Sequence, residues 1–473
     1  MEVGAEIEEL RATLAARDAD LAARDARIAV LEAELTKLRE LLGRNSSNSN
    51  KPPSSDPPGT GAKAPRKKKA KGRRRGGQQG HRGSHRALLP PERMDAFEDH
   101  FPCTCGGCHA TLPRTPDPGA RRYQHTDLGV DGVFRTEHRR HRVKCPECGY
   151  KTWAKYEDAI PRYPFGPGLM SAVVLLTGVY HLSRRKTACL LWELLGVRMS
   201  VGAISRIEKR MSEAVAPAVD EAWEHARDAG VKHADGTSWL RAGLMLSLWV
   251  VATTAVTVFK VLCDGQSKTL RTKLFVKVRG ILVSDRATAL KFWAMNRRQI
   301  CWAHLVRKFI AFSERDGPAA SIGKELLDFT GVIFQYWSDF REGKIGRAQL
   351  GAFMAPVRPQ FEELLERAVA KDEKGLSGSC ADILEHREAL WTFVEREGVE
   401  PTNNHAEREL RAFVLWRKRS FGAQSERGDQ FAERLMSVAH TARKQGRDIL
   451  AFLTACADAW LRKTAAPTLL GAG

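Results

Sequence analysis

The sequence predicts a multidomain α+β protein with an N-terminal coiled coil, a small cysteine-pinned module, a helical domain, and an α/β domain interrupted by a helical insertion. Three observations carry that expectation. A heptad pattern opens the chain, two Cys-x2-Cys pairs follow a basic stretch poor in apolar residues, and the hydrophobic period then changes from helical to strand-like and back. At 473 residues with 43% hydrophobic content, the chain predicts about three domains with enough apolar material to fill them. Lys and Arg outnumber Asp and Glu by 76 to 56, a surplus that points to a polyanionic partner, DNA or RNA first.

Residues 4–43 place Ile7, Leu14, Leu21, Ile28, Leu35 and Leu42 at one heptad position and Leu10, Leu31 and Leu38 at the other. Arg17 and Arg24 interrupt the second position. This is a coiled-coil seam that predicts a homo-oligomer, with a long helix packed on its own chain as the alternative. Residues 44–95 read as a disordered basic linker. Between Lys63 and Arg86 eleven Lys or Arg occur with no acid, among them Lys67, Lys68, Lys69, Arg73, Arg74 and Arg75. Such a run binds phosphates without reading bases.

Residues 96–160 form the cysteine-pinned module. Cys105-x2-Cys108 and, 36 residues on, Cys145-x2-Cys148 present four thiolates at the spacing of a structural zinc ribbon, with Cys103 and His109 as substitute ligands. Four protein ligands leave no open position, so the Zn2+ is structural. The starting sequence MEVGAEIEEL has neither the charged start nor the apolar core of a signal peptide. A cytoplasmic location follows, in which ten cysteines serve as metal ligands or buried thiols instead of disulfides.

Residues 161–226 read as helices, and 184–211 resemble a helix-turn-helix. Ser200 caps its second helix, and Ser205, Arg206, Lys209 and Arg210 are the candidates to face DNA, with ordinary helical packing as the alternative. The one membrane candidate, residues 244–259, is short and interrupted by hydroxyl residues. Two buried strands suit its β-branched content better, and no membrane partner is expected.

The α/β domain spans 227–312 and 398–465. Asp235 follows the strand-like VKHA, and Asp285 ends the buried ILVS; each sits at or near a strand end, where a sheet holds carboxylates side by side. A turn role for Asp235 and a capping role for Asp285 are the plain alternatives. Two such carboxylates in a DNA-seeking protein suggest a Mg2+ (or Mn2+) site and call for a third. Strands followed by a helix bearing Glu are the pattern of ribonuclease-H-like nucleases and transposases. In TNNHAERELR, residues 402–411, the candidates for the third carboxylate are Glu407, with Asn404 to Glu407 as a capping box and Glu407 to Arg411 as an ion pair, and Glu409 on the other shoulder of the helix. Residues 313–397 read as a helical insertion.

The strings LLGRNSSNSNKPPSSD, GGQQGHRG, the paired Cys-x2-Cys, CWAHLVRKF at 301–309 and TNNHAERELRAFVLWRKRSFGAQS, in this order, resemble the transposases of the insertion-sequence sixty-six family (TnpC-type). The resemblance runs along nearly the whole chain. It implies an Asp-Asp-Glu transposase that carries out DNA strand cleavage and transfer, with Asp235, Asp285 and Glu407 as catalytic and Mg2+-binding residues. Glu409 then remains as a shoulder charge expected to tolerate alanine. Cys301-x2-His304 resembles a short element of several transposase families, with a buried structural pair as the alternative. Arg408, Arg411, Arg417 and Lys418 form a basic helical segment suited to DNA phosphates. Expected partners are transposon-end and target DNA and accessory proteins of the same element, in a bacterial, nucleoid-associated setting. The rival functions are a non-catalytic DNA-binding protein derived from a transposase and a ribonuclease-H-like nuclease that cuts without joining.

Overall fold

The computed structural model describes residues 17–19, 21–32, 34, 87–129, 131–157, 160, 163–276, 279–315 and 317–471. Within the predicted coiled coil, the described residues are helical, with Leu21, Ile28 and Leu31 about half exposed. The remainder of that seam and Lys67, Lys68, Lys69, Arg73, Arg74 and Arg75 of the basic linker lie outside the described residues.

The cysteine-pinned module is built on a three-stranded sheet and a ribbon. Strands β1 (Ala96–His100), β2 (Arg121–Gly129) and β3 (Gly132–Arg140) pair in the order β1-β3-β2, with β1 parallel and β2 antiparallel to β3. Strands β4 (Arg142–Lys144) and β5 (Lys151–Trp153) form a separate ribbon flanking the second cysteine pair. The buried core beside the cysteines comprises Cys105, Leu112, Val143 and Cys145, with Phe101 and Ala110 against it. So small a core cannot hold a fold of this length by burial alone.

Four helices follow: α1 (Pro167–Val174, continued by a π turn over Leu175–Val179), α2 (Arg184–Leu195), α3 (Val201–Ala214) and α4 (Ala216–Asp228). Helix α2 ends at Gly196, whose φ of 60° is the left-handed value that closes a helix without a Cβ clash. Ser200 caps α3 as expected, its hydroxyl accepting from the Ala203 amide at 3.1 Å. The buried face of α3, Ile204, Ile207 and Met211, joins a core that reaches the sheet beyond.

The central sheet runs β10-β9-β6-β7-β8. Strands β6 (Val231–Arg241), β7 (Leu244–Ala252) and β8 (Thr257–Leu262) are antiparallel, and β9 (Ile281–Ser284) and β10 (Arg298–Ile300) continue the sheet in parallel on the other side of β6. The apolar run at 244–259 therefore becomes β7 and the start of β8. Its residues alternate between two cores: Leu248 and Val250 pack with the helices after residue 403, whereas Trp249 and Val251 pack with the helical domain. A strand buried on both faces needs no polar alternation. No helix among the described residues is long and apolar enough to cross a membrane.

After β10 come α5 (Trp302–Ser313), α6 (Pro318–Arg341), α7 (Arg347–Ala370) and α8 (Ser377–Glu385), then short helical turns at Arg387–Leu390 and Thr392–Glu395, and the chain returns to the sheet through α9 (Asn404–Ser420), α10 (Glu426–Lys444) and α11 (Ile449–Arg462). The inserted helices share one core with Val283 and Ile300 of the sheet and Trp302 of α5. Ion pairs Arg286–Asp382 at 2.7 Å and Lys291–Glu385 at 3.0 Å tie α8 to the segment after β9. All ten cysteines are free thiols.

Candidate active site

Backbone register brings the two aspartates to one level. Parallel pairing of β6 with β9 ends at His233 opposite Val283, and Asp235 and Asp285 each lie two residues further along. Side chains two apart on a strand share a face, so the aspartates leave neighbouring strands at the same height and line one cleft. The expectation of strand-end placement needs adjustment for Asp235: it lies inside β6, still paired with Val250 of β7, and only its pairing toward β9 has ended. Its Oδ1 accepts from the Gly236 amide at 2.8 Å, and Asp285 Oδ1 accepts from the Ala287 amide at 3.0 Å. The buried Arg298 guanidinium donates to the Asp285 carbonyl at 2.8 Å and anchors that corner.

Glu407 arrives from the first turn of α9. Asn403, fully buried, clamps this turn to the sheet: its Nδ2 donates to the Ala234 carbonyl at 2.8 Å, and its backbone amide donates to Cys301 Sγ at 3.1 Å. The expected capping box at Asn404 does not form. Asn403 occupies the cap position, but its Oδ1 accepts no cap hydrogen bond while its Nδ2 donates to β6. The expected Glu407–Arg411 pair gives way to a different partner, for Glu407 Oε1 accepts from Arg307 of α5 at 3.2 Å. His304 Nδ1 lies 3.4 Å from the same oxygen, too long for a good hydrogen bond, and is otherwise buried and unpartnered.

The three carboxylates line a cleft of about 860 Å³ together with His304, Arg307 and, at its rim, Arg341, Arg408 and Arg411. Burial pushes Asp235 up to about 7, the charges of Asp285 and Glu407 adding to the effect while the Gly236 amide and Arg307 oppose it. Burial first, and then the Arg307 charge, hold His304 below the ordinary imidazole range. Three carboxylates lining one cleft offer the oxygen donors that a hard divalent cation takes.

Glu409 is not the shoulder charge expected. Its carboxylate is bonded to His440, lies 3.6 Å from both His405 and Lys444, and has a side chain only 16% exposed. Burial alone would raise its pKa, but the hydrogen bonds of His405 and His440 and the Lys444 charge hold it well below the usual carboxylate range. Arg417 likewise turns inward, donating to Thr237 Oγ1 at 3.2 Å and to the Ser238 carbonyl. It is a strap between α9 and β6, where a phosphate contact was expected. Arg206, Arg408, Arg411 and Lys418 are exposed, whereas Arg210 lies over the Tyr163 ring at 3.8 Å and Ser205 accepts from Arg427.

Cys105, Cys108, Cys145 and Cys148 converge, their sulfurs all within 4.8 Å of one another. The Cys105–Cys148 and Cys108–Cys145 separations are 3.5 and 3.6 Å, against about 3.8 Å for tetrahedral ligands at the usual zinc–sulfur distance. Backbone amides of Cys108 and Gly107 help pull Cys105 down to about 6, against its desolvation. The cluster is compatible with structural zinc, and Cys103 and His109 stand outside it.

Two cleft residues and the buried clamp beside them escape sequence reasoning. Arg307 follows His304 by three positions and so shares its helical face, a signal present in CWAHLVRKF. Asn403 adjoins the capping pattern but acts as a clamp, and Arg341 ends an inserted helix with no local signal.

Fold and cleft together define a mixed α+β, multidomain protein with clustered carboxylates inside an arginine-rimmed groove. A family model described as Transposase IS66 family matches residues 162–431, more than half of the chain, and the chain belongs to that family. Membership makes it a transposase in general terms, with DNA as the implied partner and divalent metal as the suggested cofactor class. Residues 1–87 match a family of unknown function, DUF6444. No curated protein matches the chain.

Proposed function

We propose that Asp235, Asp285 and Glu407 are the catalytic triad of a DNA transposase that binds the terminal repeats of its element, cleaves a strand there and transfers the freed end. The observation that carries this reading is the shared height of Asp235 and Asp285 on parallel neighbours, with Glu407 entering the same cleft from a helix clamped to β6. Three antiparallel strands, two parallel strands and a following helix bearing Glu also support a ribonuclease-H-like domain.

The triad would hold Mg2+ (or Mn2+), which supplies Lewis-acid activation of water or a 3′-hydroxyl and stabilisation of the leaving oxygen. In the first step a water oxygen bonds to phosphorus as the bond to the 3′-oxygen breaks, which leaves a 3′-hydroxyl. In the second, that hydroxyl oxygen bonds to a target phosphorus and displaces the target's own 3′-oxygen, so one phosphodiester replaces another. The chain's share is positioning and charge. Arg408, Arg411 and Arg341 at the rim would bind strand phosphates, and Arg307, which pairs with Glu407, would add positive charge beside the triad. The basic linker, Arg206 and Lys418 would add contacts that read no bases, the four cysteines would hold structural Zn2+, and the heptad helix would join copies of the chain.

The test is strand transfer in Mg2+ with DNA carrying the element's terminal repeats. Asp235→Ala, Asp285→Ala and Glu407→Ala should each lose at least about 100-fold in rate while still binding repeat DNA. Activity retained by any one removes that residue from the triad. Cleavage without joining by the wild type would identify a nuclease instead.

A further inference from the structure

The cysteine-pinned module carries a second cluster of metal-ligating side chains apart from its four sulfurs. Glu98 and His100 stand two apart on edge strand β1 and so project from one face, and His138 of β3 is the residue paired with Glu98. His138 Nδ1 lies 2.9 Å from Glu98 Oε2 and 3.3 Å from His100 Nε2, and the three donor atoms all fall within 4.8 Å of one another. A tetrahedral zinc with nitrogen and oxygen ligands separates them by roughly 3.4 Å, so shifts of a few tenths of an ångström are enough.

A neighbouring histidine shows what a purely structural role looks like here. His141 spends one nitrogen on Asp99 at 2.8 Å and accepts the Asp117 amide at the other at 3.0 Å, each atom having its own partner. At His138 one nitrogen faces two acceptor-capable atoms, and a single proton cannot serve both well. One cation satisfies all three lone pairs. His138 is 5% exposed and stacks on Tyr123, and Tyr156 meets the His100 ring edge-on at 5.3 Å. The rings are thereby held in place, while Glu98 remains open to solvent.

The geometry points to a second zinc site formed by Glu98, His100 and His138, which staples the edge strand β1 to β3 in a module whose apolar core is too small to do so. Two imidazoles and a carboxylate suit zinc among the borderline divalent ions. The fourth position, on the Glu98 side, is left to water.

The full-length protein, dialysed against metal-free buffer, should carry two zinc ions per chain. Glu98→Gln and His100→Gln should each carry one, with unchanged circular dichroism. Cobalt substitution separates the sites, since only the cysteine cluster gives intense thiolate-to-cobalt charge transfer. In both variants that band should persist while one cobalt equivalent is lost, and in Cys145→Ser the band should vanish while one equivalent remains. One zinc per chain in the wild type overturns the proposal, as does a second ion that survives both Glu98→Gln and His100→Gln. Neither result bears on the Asp-Asp-Glu reading, which strand transfer tests separately.

Discussion

Burial raises the proton affinity of both Asp235 and Glu409, and their neighbours decide the net direction. Asp235 has two carboxylates for company in the cleft and is pushed up to about 7; Glu409 has His440, His405 and Lys444 and stays charged. Between the ordinary aspartate value of 3.8 and about 7, the folded chain holds a proton on Asp235 that the unfolded chain has released. Its contribution to stability is thus greatest at the acid end of that window and falls as pH rises through it. In magnesium-free buffer, Asp235→Asn should flatten the decline in Tm across this range, and an unchanged slope would show that the carboxyl titrates normally. Glu409→Ala should cost about 3 kcal/mol in urea unfolding, because it strands Lys444 and His440 without their countercharge. A loss under about 0.5 kcal/mol would return Glu409 to the surface class.

Helix α9 is aimed by its ends. At its start Asn403 bonds the Ala234 carbonyl, one residue before Asp235, and near its end Arg417 bonds Ser238. The helix that brings Glu407 is thereby tied to the strand that brings Asp235. Asn403→Ala should cost about 1–2 kcal/mol and lower the rate of strand transfer more than the affinity for repeat DNA, a split visible in single-turnover assays. Equal losses in rate and affinity would count against a positioning role. Gly236 shows the same closeness on the sheet side, where a Cβ would meet the Trp249 ring at 2.8 Å.

At the scale of the whole molecule, the inserted helices belong to the site as well as to the fold. Their core continues into Val283 and Ile300, and Arg341 reaches the cleft rim. The N-terminal heptads are proposed to join copies of the chain. Deleting residues 4–43 should lower the oligomeric state seen by light scattering and leave the zinc content per chain unchanged. The same mass for both chains would remove the coiled coil as the means of association.

Local chemistry determined much of this in advance. The Cys-x2-Cys pairs, the Ser200 cap and the apolar strands around Asp285 each depend on neighbours within a few residues, and sequence displays such neighbours directly. Asp235, Asp285 and Glu407 were legible as candidates through local pattern and family resemblance. Their convergence was not, because 121 residues separate the last two and only the register of β6 with β9 and the Asn403 clamp bring them together. The roles of Glu409, Arg417 and Arg307 were decided by tertiary structure alone. A charge on a helix shoulder is solvated or buried according to what packs over it, and His440, Ser238 and Glu407 come from distant parts of the chain.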